Sequence, residues 1–108
     1  MPKIHIIIRT DFEAIHCWPE CPFPEVGFLK NPHRHKFFVE VRIVTTQDRQ
    51  LEFFMVKTNL DNYIKTKFKD RDLGRTSCET MAKRICFALN ANYVSVFEDD
   101  QVGASYEV

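Results

Sequence analysis

The stretch His33-Arg-His-Lys-Phe-Phe-Val-Glu-Val-Arg-Ile-Val-Thr-Thr46 decides the architecture of this chain. Its residues alternate with a period of two. His33, His35, Phe37, Val39, Val41 and Ile43 fall on one side, and Arg34, Lys36, Phe38, Glu40 and Arg42 on the other. Alternation of this length, rich in β-branched and aromatic residues, predicts a half-buried strand. Two residues on the apolar side are histidines. Residues two apart on a strand point the same way, with Cα atoms about 6.5 Å apart, so His33 and His35 can aim two imidazoles at one ion.

Upstream, Lys3 to His16 repeats the pattern. Ile4, Ile6, Ile8, Phe12, Ala14 and His16 share one face, with Thr10 the one polar residue among them, and Arg9, Asp11 and Glu13 share the other. His16 ends this strand and His33 begins the next, so antiparallel pairing brings three imidazoles to one end of the sheet. Three neutral imidazoles with an open fourth position is the ligand set of a catalytic zinc. The residues leave two other readings open: a basic His-Arg-His surface patch with His16 a lone strand-end histidine, and a mixed Cys/His structural zinc using Cys17 and Cys21. His5 has the opposite parity from His16 and is expected on the other face.

Downstream, Thr45 to Gln50 reads as a turn and Leu51 to Val56 as a third short strand. Leu60, Tyr63, Ile64 and Phe68 then recur at helical spacing behind the cap candidates Thr58 and Asn59. After the polar loop Lys69 to Arg75, Thr76-Ser-Cys-Glu79 has the spacing of a capping box. It opens a second helix whose stripe is Cys78, Met81, Ala82, Ile85 and Leu89. Asn90 to Asn92 ends this helix, Tyr93 to Glu98 reads as a strand, Asp99 to Gly103 as a turn, and Ala104 to Val108 as a final strand. The order predicts an α+β fold with an antiparallel sheet and a helix pair. With 108 residues there is no room for two cores, so residues 1–108 are read as a single domain.

Composition narrows the partners. Lys plus Arg and Asp plus Glu both number 15, so no net field attracts a polyanion, and nucleic acid is excluded as a primary partner. Nothing resembles a signal segment or a span of about 20 apolar residues, which predicts no membrane association and a cytoplasmic protein with its four cysteines reduced. Ten phenylalanines and a sheet with open edges predict a homo-oligomer.

The order of motifs adds a resemblance. Phe12-x-Ala-x-His16, His33-x-His35-x-Phe-x-Val-x-Val41, Thr76-x-x-Glu79 and Glu98 ahead of Gly103-Ala-x-Tyr106 together resemble the 6-pyruvoyl- and 6-carboxytetrahydropterin synthase family over nearly the whole chain. The resemblance implies the T-fold, in which ββααββ units assemble into a barrel, commonly a hexamer of two trimers. It implies zinc on His16, His33 and His35, a pterin or purine-like ligand anchored through its amino-pyrimidine edge by Glu98, and Thr76 and Glu79 near that ligand. A carboxylate suits the anchor because it accepts two parallel N–H bonds. The implied activity is that of a lyase of this type.

The chain departs from the family at the catalytic base. Leu29 stands where the family carries a cysteine four residues before its H-x-H, and Arg34 replaces the customary glycine. The family's aspartate–histidine pair between the helices has no counterpart, since His5 is the only histidine beyond the three assigned to metal. The 16 residues from Cys17 to Pro32 exceed an ordinary hairpin connection, and within them Cys21 or Glu25 is the candidate replacement base. The expectation is therefore a zinc enzyme with altered chemistry, or a zinc- and pterin-binding protein without turnover.

Overall fold

A computed structural model describes residues 2–108. Strand β1 (Ile4–His16) pairs antiparallel with β2 (His33–Thr45), one residue against one along the whole length, from Ile4 opposite Thr45 to His16 opposite His33. Helices α1 (Phe53–Lys67) and α2 (Cys78–Leu89) follow, and strands β3 (Tyr93–Glu98) and β4 (Val102–Glu107) close the chain. The sheet order is β1-β2-β3-β4, antiparallel throughout. This is the ββααββ unit, an α+β fold with both helices on one face. No helix among the described residues is long and apolar enough to cross a membrane.

The period-two pattern fixes which face is covered. Ile8, Phe12 and Ala14 of β1, Phe37, Val39, Val41 and Ile43 of β2, and Val94 and Val96 of β3 form one buried cluster with Leu60, Ile64 and Phe68 of the α1 side and Met81, Ala82, Ile85 and Cys86 of α2. Phe12 stacks on Phe37 and on Phe68, with ring centroids 5.3 and 5.8 Å apart. Thr10, the polar residue in this face, is half-buried and donates to Asp61 Oδ1 at 2.7 Å, so its hydroxyl has a partner. His5 is exposed, on the opposite parity.

Three expectations are corrected. Leu51 to Val56 is no strand: α1 begins at Phe53, capped by Glu52, whose carboxylate accepts from Phe54 N at 2.7 Å. The apolar stripe of this helix reaches back to Val56, which packs on the core one turn before Leu60, so the helical period wins over a short apolar run with no facing strand. Thr58 therefore lies inside the helix and donates to Phe54 O. The sheet accordingly has four strands, not five. The capping box is displaced by one residue: Ser77 is the cap of α2 and accepts from Thr80 N at 3.1 Å, while the Thr76 hydroxyl donates back to Leu73 O at 2.7 Å. Strand β4 also starts two residues earlier than expected, at Val102.

Candidate metal centre

The core-facing stripes of β1, β2 and β3 each run out into ligand-type residues at the same end of the sheet: His16, then His35 and His33, then Glu98. Register makes this unavoidable, since His16 pairs with His33, Ala14 with His35, and Phe37 with Glu98. The ring centroids of His16 lie 4.6 Å from His33 and 5.6 Å from His35, and those of His33 and His35 are 4.9 Å apart. Phe37 forms the apolar floor, edge-on to His16 and His35.

Each imidazole is held by its Nδ1. His16 Nδ1 meets Thr76 O at 2.9 Å, His33 Nδ1 meets Asn31 O at 2.8 Å, and His35 Nδ1 meets Asp99 Oδ2 at 2.7 Å. All three partners are acceptors, so in the neutral rings the proton sits on Nδ1 and the Nε2 lone pair is free. All three Nε2 atoms are buried and without a hydrogen-bond partner. Buried polar atoms are ordinarily satisfied, and three unpartnered ring nitrogens converging on one point form a donor set that could hold a metal ion. One ligand atom from each of His16, His33, His35 and Glu98 lies within 4.8 Å of the others.

The segment after α1 locks His16. Ile15 N donates to Arg71 O, Leu73 N to Ile15 O and Cys17 N to Gly74 O, stitching residues 71–74 to the end of β1. Gly74, at φ +58°, reverses the chain there, and Asp72 accepts from its N–H. The turn presents the Thr76 carbonyl to the ring of His16.

Glu98 Oε2 stands 2.9 Å from His16 Nε2, and Oε1 stands 3.7 Å from His35 Nε2. The first contact has the length of a hydrogen bond, but in the neutral ring with its proton on Nδ1 the Nε2 lone pair faces another acceptor and finds no donor. Without metal, burial works against a charged His16, but the Glu98 carboxylate and the Thr76 carbonyl outweigh it and raise the pKa. The His16 ring, helped by the charges of His35 and His33, holds the Glu98 carboxyl below the usual range despite its burial.

No sequence-family model and no curated protein sequence matches the chain. Among solved structures, the 6-pyruvoyl tetrahydropterin synthase of Caenorhabditis elegans superposes on 100% of this chain and 97% of its own, with a TM-score of 0.81 and 15% sequence identity. This chain has the fold of 6-pyruvoyl tetrahydropterin synthase. At that identity the likeness is one of fold, and the site has to be read from the residues of this chain.

In this instance of the synthase fold, a cavity of about 430 Å³ opens beside the histidines, with His16, His33 and Glu98 in its wall. Thr76 and Glu79 line it as well, at the start of α2. Leu29 is also in the wall, so the position at which the resemblance implies a cysteine does face the cavity, with an apolar side chain. Cys21 and Glu25 are not among the lining residues. Cys21 is buried under the loop, its thiol 3.8 Å from Phe23 O and 3.9 Å from Val26 O, and Glu25 is exposed in the first turn of a 3-10 segment, Pro24–Lys30. The cysteines that reach the cavity are Cys17 and Cys78. Burial, then the negative charges of Glu98 and Glu79, push the Cys78 thiol up to about 12. Sequence reasoning missed the groups behind the ligands, namely the carbonyls of Thr76 and Asn31 and the carboxylate of Asp99. Backbone carbonyls carry no residue-type signal, and Asp99 is indistinguishable in sequence from an ordinary turn aspartate.

Proposed function

We propose that this chain is a zinc protein of the pterin-synthase type, holding the ion through His16, His33 and His35 and taking a pterin or purine-like small molecule into the adjoining cavity. The observation that carries the reading is the set of three buried Nε2 atoms, each on a ring already fixed at Nδ1. Zinc, when bound, supplies a Lewis acid that polarises an oxygen on the ligand's side chain and acidifies an adjacent C–H.

The chain's own residues do the rest. Glu98, held ionised, offers two oxygens at the edge of the cavity and accepts the paired N–H groups of an amino-pyrimidine edge. Phe37 excludes water from behind the rings, and Thr76, just ahead of α2, and Glu79, in its first turn, border the ligand. The unpaired edges of β1 and β4 support assembly into a homo-oligomer, a trimer or hexamer in this fold.

Proton abstraction is where this chain differs. Leu29 in the cavity wall has no proton to exchange, and of the two cysteines there Cys78, pushed up to about 12, is a thiol at neutral pH, which leaves Cys17 as the thiol that an altered chemistry could use. Ordinary 6-pyruvoyl- or 6-carboxytetrahydropterin synthase turnover is therefore not expected, because loss of a positioned acid–base group costs about 10² to 10⁴ in rate. The same two observations favour a second reading, a binder of zinc and a pterin-like ligand without turnover. Dihydroneopterin triphosphate, offered to zinc-loaded protein, separates the cases: robust conversion defeats the claim of altered chemistry, and binding without product supports the second reading. Absence of zinc uptake defeats both.

A further inference from the structure

The three imidazoles are not equivalent. His16 and His33 donate from Nδ1 to neutral backbone carbonyls, but His35 donates to a carboxylate, Asp99 Oδ2, at 2.7 Å. Asp99 is itself held on both sides: its N–H donates to Lys36 O at 2.7 Å, and its Oδ1 accepts from Lys36 N at 3.2 Å. One oxygen of this carboxylate thus reads the backbone of β2 and the other the neighbouring ring.

The turn that carries it is unusual for its residues. Gln101 N donates to Glu98 O at 2.9 Å across Asp99 and Asp100, whose φ angles are +53° and +57°. Two central residues in the left-handed region define a type I′ hairpin turn, which Asn and Gly enter more readily than Asp. An aspartate in the first position gains nothing for the turn that asparagine would not also give. What it adds is charge, delivered to His35.

We infer that Asp99 is a positioning residue that orients His35 and makes it the most electron-rich of the three metal ligands. This rests on the metal reading above. A carboxylate behind a ligating imidazole fixes the tautomer and raises donor strength, and its removal typically weakens metal affinity about 10- to 100-fold. The Asp99 side chain is 53% exposed, so water replaces part of the interaction and the lower end, about tenfold, applies.

The test is a zinc competition titration against a chromophoric chelator, with cobalt spectra of the same proteins. Wild type is compared with Asp99→Gly, which keeps the left-handed turn and deletes the carboxylate, and Asp99→Asn, which keeps the turn and an acceptor oxygen but loses the charge. Asp100→Asn controls for the turn itself. Affinity should fall about tenfold in Asp99→Gly and by less in Asp99→Asn, with a shifted cobalt d–d band in both and no change in Asp100→Asn. If Asp99→Gly unfolds, Asp99→Asn carries the test. Zinc affinity within twofold of wild type and unshifted cobalt bands in the Asp99 variants, with wild type binding normally, overturns this inference and leaves the metal centre standing. Wild type that takes up no zinc overturns both.

Discussion

Replacing His33 by alanine should leave the metal-free fold nearly intact and remove most of its stabilisation by zinc. His33 is only half-buried, and its single hydrogen bond, to Asn31 O, lies in an exposed position. Losing one such neutral bond costs about 0.5–1.5 kcal/mol. For 108 residues, unfolding entropy near the midpoint is about 0.23 kcal/mol/K, at about 2.1 cal/mol/K per residue. The metal-free variant should therefore melt about 2–7 °C below metal-free wild type. Zinc at 100 times its Kd stabilises wild type by about 2.7 kcal/mol, or about 12 °C. If deleting one of three donors weakens Kd a hundredfold, the same zinc concentration gives about 0.4 kcal/mol, under about 2 °C. Calorimetry of both proteins, each with chelator and with zinc, reads all four midpoints. A wild-type midpoint indifferent to zinc refutes the reasoning at its root, and a His33→Ala protein that keeps the full zinc shift refutes the assignment of this ring.

Glu98→Ala should abolish binding of a pterin or guanine measured by titration calorimetry, and unchanged binding would remove Glu98 as the anchor. In metal-free protein the His16–Glu98 pair should give a stability maximum at mildly acid pH. The depressed Glu98 carboxyl contributes stability above its unfolded pKa and loses it as pH falls through the folded value. His16, raised, contributes below its unfolded pKa and loses it as pH rises through the folded value. A flat midpoint between about pH 4 and 8, or one that His16→Gln leaves unchanged, would contradict this. Gly103→Ala should destabilise the chain by at least about 1–3 kcal/mol, because an added Cβ collides with the Val96 carbonyl oxygen and the Phe97 Cα, backbone atoms that cannot yield. A thermal midpoint within about 2 °C of wild type would show that β4 can move off β3.

The alternating stretches around Phe12 and Phe37, taken alone, determined two strands, their buried faces and the convergence of His16, His33 and His35, because a period of two is a local property and antiparallel pairing turns it into juxtaposition. The stripe in α2 and the strand ending at Glu98 were equally legible. The start of α1 was not, since Leu51 to Val56 is a short apolar run that suits a strand as well as a helix, and only the core under Val56 and the cap from Glu52 select the helix. Nor was the cap of α2, where Thr76 and Ser77 are both competent and the stitching of residues 71–74 to β1 gives the role to Ser77. Which cysteine meets the cavity depends on how the loop after His16 folds back, with Trp18 N donating to Leu29 O, and that packing buries Cys21 and leaves Cys17 beside the histidines. Tertiary structure alone fixed the protonation pattern of the rings. The acceptors at Thr76, Asn31 and Asp99 arrive from three separate segments, and the direction of a carbonyl or a turn carboxylate is set by the backbone around it, not by the identity of the residue.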